Sequence, residues 1–305
     1  MRQPVDRVTV RAPAKVNLHL SVGRLRSDGY HDLTTVFHAV GLYDEVVLTR
    51  AESPSVTVTG EGAGSVPLDS SNLALRAVEL LAKETGNDPG VSVRIDKGIP
   101  VAGGMAGGSA DAAAALVGCD ALWGTGLSRD ALESVGARLG SDVPFALHGG
   151  TALGTGRGER LTPVLGHASW SWVVALVDGG LSTPAVYREL DLQRATGPVT
   201  VVGDPADVLA ALRSGDPEAL GAALSNDLQR AAISLMPSLR RLLDTALDLG
   251  ALGAVVSGSG PSVVMLARDD GHAVALAAAL SGQGMARAVR RADGPVHGAR
   301  VVEAV

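Results

Sequence analysis

Gly98-Ile-Pro-Val-Ala-Gly-Gly-Met-Ala-Gly-Gly-Ser-Ala-Asp-Ala-Ala-Ala-Ala-Leu116 lies about a third of the way along the chain, and its reading decides the fold. The segment before it, Val91–Ile95, alternates apolar and polar side chains as a half-buried strand does. The run after it, Ala110–Leu116, is Ala-rich and has high helix propensity. Between them stand Gly103, Gly104, Gly107 and Gly108, followed by Ser109. Backbone without Cβ atoms approaches a ligand closely and adopts positive φ. The helix that follows turns its free N–H groups and positive end toward the loop, so an anion, most often a phosphate, fits there. A flexible Gly/Ala loop capped by Ser109 is the plainer reading of the same residues. No Gly-Lys-Ser/Thr follows, so this is not a Walker A loop, and no early βαβ unit precedes it to make a dinucleotide fold.

The 305 residues suffice for one large or two ordinary domains. With 46% hydrophobic and 19% charged residues, the composition is that of a globular chain. A net charge of −6 argues against a nucleic-acid partner, whose footprint is basic. No apolar run is long enough to span a membrane, and the first six residues carry no apolar signal core. The single cysteine, Cys119, excludes an internal disulfide framework and fits a reducing cytoplasm. Within the Ala-rich helix it reads as a small buried hydrophobe. No Cys/His cluster has zinc spacing. Of 26 basic residues only Lys15, Lys83 and Lys97 are lysines, so a Lys inside a motif suggests a use for its compact ammonium.

Working outward, Val8–Ala12 and Val16–Val22 read as two strands separated by Pro13. The second places Val16, Leu18, Leu20 and Val22 on one face and Lys15, Asn17, His19 and Ser21 on the other. Arg26–His31 is a turn with Asp28-Gly29 at its tip, and further strand patterns cover Glu45–Thr49 and Ser55–Thr59. Ser70-Ser-Asn72 caps an amphipathic helix closed by Gly86, and Ser128–Leu139 is another. Gly-rich sequence from Gly149 to Gly158 ends this half, giving expected domains of 1–162 and 163–305. In the second half, strands Trp172–Val177, Ala254–Val256, Val263–Leu266 and Ala286–Arg290 alternate with helices, among them Pro237–Leu249 and Gly271–Leu280. Their β-α-β-β-α-β order is that of a ferredoxin-like split βαβ domain.

Three motifs, Pro13–Leu18, Gly103–Ser109 and Ser257-Gly-Ser-Gly-Pro261, resemble in order and approximate position the three signatures of the GHMP kinase superfamily. Ala12–Leu18, Arg26–Leu33, Ser71–Leu73, Gly140–Pro144 and Ser225–Asp227 extend the resemblance over essentially the whole chain. Together they point to the branch whose acceptor carries a cytidine diphosphate and leads to isoprenoid precursors by the non-mevalonate route. The resemblance implies an α+β, two-domain fold. Its N-terminal domain would be ribosomal protein S5 domain 2-like with a left-handed βαβ element, and its C-terminal domain ferredoxin-like. It implies a cytoplasmic enzyme using ATP and Mg2+, acting on a small molecule, with neither nucleic acid nor membrane as partner. Ala102, Met105, Ala106 and Ala110 depart from the commoner Gly, Leu, Gly and Ser, which puts the loop's exact geometry in question.

Carried over residue by residue, the resemblance makes Asp142 the catalytic base, with Lys15 beside it holding the acceptor oxygen. Read alone, Asp142 is an N-cap for a helix beginning near Pro144, and Lys15 a solvated strand lysine. Asn17 would bind the substrate or Asp142. Tyr30 and His31 would stack on cytosine and hydrogen-bond its edge, with Asp178, Ser182 and Thr183 lining the acceptor pocket. ATP would meet Pro100, Gly103, Gly104, Ala106, Gly107, Gly108 and Ser109, its adenine near Asn72, Leu73 and Lys97. Ser257–Gly260 would buttress the phosphate loop, or form a plain tight turn. No paired-carboxylate metal site stands out; Ser109 and Asp111 are the nearby candidates. The rival readings are a homoserine, mevalonate or sugar kinase of the same superfamily, and a nucleotide-binding module without catalysis.

Overall fold

The computed structural model describes residues 5–166, 168–197 and 202–305, so residues 1–4, part of the stretch in which no signal core is expected, lie outside it. The two expected first strands are one, β1 (Arg7–Leu25), which runs through Pro13. It pairs antiparallel with β2 (His31–Arg50), and the register shifts between Pro13 and Ala14, where proline has no N–H to give the ladder. The first part of β2 escapes the sequence pattern because Thr35–Val40 is buried on both faces, which removes the alternation. Next come β3 (Ser55–Gly60), α1 (Leu73–Thr85) and β4 (Val91–Lys97), with α1 crossing between parallel partners β3 and β4. α2 (Gly107–Trp123) is longer than its Ala-rich centre, which is buried throughout from Ala110 to Leu116. α3 (Arg129–Ala137), α4 (Val143–His148) and the hairpin β5 (Thr151–Thr155) and β6 (Arg160–Pro163) complete this half.

The second half contains β7 (Trp170–Leu176), α5 (Thr183–Thr196), α6 (Ala206–Ser214), α7 (Pro217–Ala223) and the short β8 (Ser225–Asn226). It continues through α8 (Leu228–Leu235), α9 (Ser238–Asp248), β9 (Gly253–Val256), β10 (Val263–Ala267), α10 (Asp270–Gly282), β11 (Ala288–Gly294) and β12 (Arg300–Ala304). Its four-stranded sheet has the order β11-β7-β10-β9, all antiparallel, which is the split-βαβ arrangement. The larger sheet follows β12-β1-β2-β4-β3, with β5 and β6 joined through β2 and β8 alongside β1. The last strand thus returns to the sheet that the first strand opened.

Alternation along β7 binds the halves together. Trp170, Trp172, Val174 and Leu176 enter the core shared with the large sheet, while Val173 and Ala175 face the second core under α5, α8 and α9. β1 divides likewise, Val8–Leu18 in the first core and Leu20 and Val22 in the second. The face of β1 carrying Lys15, Asn17 and His19 is therefore covered rather than solvated, and all three are buried.

Candidate active site

The Gly-rich loop forms the floor of a cleft of about 410 Å³ between the halves. α2 begins at Gly107 with Ala106 as its N-cap in the left-handed region, and no side chain caps it. Ser109 is therefore the third helical residue, not the cap, and it does not line the cleft. The first-turn N–H groups are left for an anion. Ala102 (φ 56°) and Ala106 (φ 60°) are the two non-glycine residues with positive φ among those described, and both are positions where the sequence resemblance leads one to expect glycine. A Cβ there costs roughly 1–2 kcal/mol each. The loop is pinned by its neighbours: Lys15 N–H donates to Met105 O (3.2 Å) and Ser257 Oγ to Gly104 O (3.1 Å). A Cβ on Gly104 would lie 2.1 Å from Ser257 O, so glycine is required for that approach. Asn226 holds the other side of the turn, donating to Val256 O (2.8 Å) and Gly258 O (2.7 Å).

At one end of the cleft, Lys15 Nζ lies 3.9 Å from Asp142 Oδ2 and donates to Asn17 Oδ1 at 2.8 Å. Asn17 Nδ2 donates to Thr35 Oγ1 (2.8 Å), whose hydroxyl donates to His19 O (2.7 Å), so a fixed chain of hydrogen bonds orients the ammonium. A Cβ on Gly258 would sit 3.2 Å from Lys15 Nζ. Burial pushes the Lys15 ammonium below the usual lysine range, against the opposing charge of Asp142. Asp142 occupies the N-cap position of α4, yet at φ −89° and ψ −10° its side chain makes no cap bond. The carboxylate remains one-third exposed and faces the cleft.

At the other end, Lys97 Nζ lies 2.5 Å from Asp44 and 2.7 Å from Asp111, both buried. Asp44 also accepts from Gly98 N and Ile99 N, each at 2.9 Å. Burial opposes the charge on Lys97, but the two carboxylates outweigh it and raise its pKa. Burial pushes Asp111 up to about 8 although Lys97 pulls the other way, and its Oδ1 has no partner among the described residues. The expected purine or phosphate reader is thus an ammonium already held by two carboxylates. Asn72 caps α1, accepting from Ala74 N (2.9 Å) and donating to Pro67 O (2.7 Å). Leu73 packs against Gly108; neither Asn72 nor Leu73 lines the cleft, whereas Ser65–Pro67, which carry no sequence signal, do.

Beyond Lys15, His31 Nε2 is 3.0 Å from Asp191 and its ring lies 5.1 Å from that of Tyr187. Tyr30 is 54% exposed beneath the Arg157 guanidinium, 5.0 Å from its ring centroid. Thr183 lines the cleft and bonds Ser259 Oγ (2.9 Å). Asp178 and Ser182 do not line it: Asp178 lies outside and faces Arg287 at 3.7 Å, and Ser182 is exposed at the start of α5. The sequence reading missed Thr35, Arg157, Tyr187 and Asp191. Only the four-residue spacing of Tyr187 and Asp191, one shared face of α5, offered a signal.

Among the described residues no three His, Cys, Asp or Glu side chains cluster as a metal cage. Mg2+ bound mainly through phosphate oxygens needs only one or two protein oxygens. The partnerless Oδ1 of Asp111, on a residue lining the cleft beside the phosphate loop, fits that mode.

Residues 72–150 match the family described as GHMP kinases N terminal domain, and residues 208–285 match GHMP kinases C terminal. The chain is 59% identical over 296 residues to 4-diphosphocytidyl-2-C-methyl-D-erythritol kinase of Nocardia farcinica (strain IFM 10152), spanning 97% of this chain and 96% of that protein. A crystal structure of 4-(cytidine 5'-diphospho)-2C-methyl-D-erythritol kinase superposes with a TM-score of 0.75 at 34% identity, over 93% of this chain and 98% of that one. The L. major mevalonate kinase in complex with R-mevalonate reaches a TM-score of 0.78 at 18% identity, over 98% and 100% of the two chains, a likeness of fold alone.

Proposed function

The chain belongs to the GHMP kinases, among the 4-diphosphocytidyl-2-C-methyl-D-erythritol kinases, and from that membership we propose how its cleft transfers phosphate. The reaction is ATP-dependent phosphorylation of the 2-hydroxyl of 4-diphosphocytidyl-2-C-methyl-D-erythritol, in the non-mevalonate route to isoprenoid precursors. The triphosphate lies on the backbone of Gly103, Gly104 and Ala106 and on the N–H groups of Gly107, Gly108 and Ser109, with adenine toward Pro100 and Ser65–Pro67. The acceptor hydroxyl gives its proton to Asp142 as its oxygen bonds the γ-phosphorus, and the bond from that phosphorus to the bridging oxygen breaks to leave ADP. Lys15, oriented by Asn17, holds its ammonium at the developing charge, where a low-dielectric site gives it most effect. When bound, Mg2+ supplies charge neutralisation at the phosphates, and Asp111 is the carboxylate that would hold it. Tyr30 and His31 take the cytosine, with Tyr187 and Asp191 fixing the His31 ring. The halves 1–162 and 163–305 act as two domains with the cleft between them. A lone buried Cys119 and a need for ATP suit the cytoplasm.

The observation that most supports this reading is the Asp142 carboxylate, released from its cap and 3.9 Å from Lys15 beside the phosphate loop. A homoserine, mevalonate or sugar acceptor would leave Tyr30 and His31 without a base to bind. ADP release measured with cytidyl-methylerythritol, homoserine, mevalonate and galactose distinguishes the acceptors. Turnover confined to the cytidyl compound is expected; a preference for any other would end this reading.

A further inference from the structure

We propose that Arg157 binds the diphosphate of the acceptor, making the charge between cytidine and methylerythritol a specificity determinant. The inference rests on the functional reading above. Among the described residues three cations line the cleft, and two of them already face carboxylates. Lys15 faces Asp142, and Lys97 is held between Asp44 and Asp111. Among the described residues no carboxylate pairs with the Arg157 guanidinium, a half-buried cation on the wall of the cleft.

The backbone around Arg157 is built to present it. It sits at the tip of the β5–β6 hairpin between Gly156 (φ 72°) and Gly158 (φ 104°), conformations that favour glycine. Gly156 O accepts from Leu33 N at 2.7 Å, and Gly158 N donates to Thr155 O at 3.0 Å. Glu159 accepts from the Arg157 backbone N–H (2.7 Å) and lies 3.9 Å from the side chain of Arg160, and it forms no ion pair with the Arg157 guanidinium. The guanidinium rests on Tyr30, a member of the cytosine patch, and shares the cleft with Lys15 and Asp142. A molecule bound by its base at Tyr30 and reacting at Asp142 carries its diphosphate past Arg157. A guanidinium fork matches phosphate oxygens two at a time, and such charge-assisted bonds are the strong ones.

Calorimetric binding of cytidine and cytidine 5'-diphosphate, with ADP saturating the nucleotide site, tests this on the wild type, Arg157→Gln and Arg157→Lys. The wild type is expected to prefer the diphosphate by roughly 10- to 100-fold, the range of charge-assisted bonds. Arg157→Gln should bring that preference within about threefold while leaving cytidine affinity unchanged, and Arg157→Lys should restore part of it. In turnover, KM for the cytidyl acceptor should rise by a similar factor, with KM for ATP and kcat within about threefold. An undiminished preference in Arg157→Gln overturns the proposal. So does an equal loss for both ligands, which would make Arg157 a cover for Tyr30. A wild type that turns over the cytidyl acceptor while Arg157→Gln discriminates normally refutes Arg157 alone. A wild type that neither binds cytidine nor uses the acceptor removes the functional reading itself.

Discussion

Lys15 and Lys97 are two of the chain's three lysines, both are buried, and both line one cleft, yet their surroundings oppose each other. Lys97 is held at 2.5 and 2.7 Å by Asp44 and Asp111, and its charge is fully compensated. Lys15 has one carboxylate at 3.9 Å, itself partly exposed, and an amide oxygen. Burial is common to both; what separates them is whether charge is left over for a ligand. Compensated charge positions backbone, here the Asp44 contacts to Gly98 and Ile99 at the start of the phosphate loop. Uncompensated charge is available to chemistry.

The sharpest way to break this contrast is to remove each ammonium. Lys97→Met leaves the buried Asp44 carboxylate beside Asp111 without its counter-ion and should cost about 3–5 kcal/mol of stability. Lys15→Met strands the Asn17 oxygen, leaves the partly exposed Asp142 to solvent and relieves a desolvated cation, so its cost should stay within about 1 kcal/mol while activity is lost. Denaturant unfolding of the pair checks this; equal losses would show that both lysines are structural. Titration carries the same contrast in sign. Lys15 sits below the usual lysine range, so the unfolded chain holds that proton longer and stability rises as pH climbs through the window between. Activity should fall across the same window as the ammonium is lost, and Lys15→Arg should remove that limb. Lys97 is raised, so its stabilising contribution persists through the usual lysine range and is lost only above it.

Asp111→Asn is a milder probe. The raised Asp111 contributes stability that is complete below the usual carboxylate range and is lost as pH rises through about 8. The asparagine variant should flatten stability over that interval; an unchanged slope would mean that Asp111 is ionised throughout. Ala106→Gly should do least, since relief of roughly 1 kcal/mol of backbone strain is offset by the added freedom of the unfolded chain. Thermal unfolding and KM for ATP are expected to move little, and a large loss in either would show that the Ala106 methyl packs usefully.

The sequence made the Gly-rich loop, the capped helices and the split-βαβ order legible because each is written in neighbouring residues. Lys15 and Asn17 were legible as one face of a strand. What joins distant segments was not. Asp44 lies 53 residues from Lys97, and Asp191 lies 160 residues from His31, so no local pattern ties either pair. Asp142 was ambiguous in principle, since the same residue before a Pro-led helix serves as cap or base. Its backbone conformation, not its neighbours in sequence, separates the two.

The most direct test is Asp142→Asn, read as kcat for the cytidyl acceptor beside ATP affinity. The asparagine keeps the shape and removes the proton acceptor, so kcat should fall by about 10²–10⁴ with ATP affinity within a few-fold. A variant that turns over at the wild-type rate would contradict the account, because the carboxylate beside Lys15 would then have no part in the transfer.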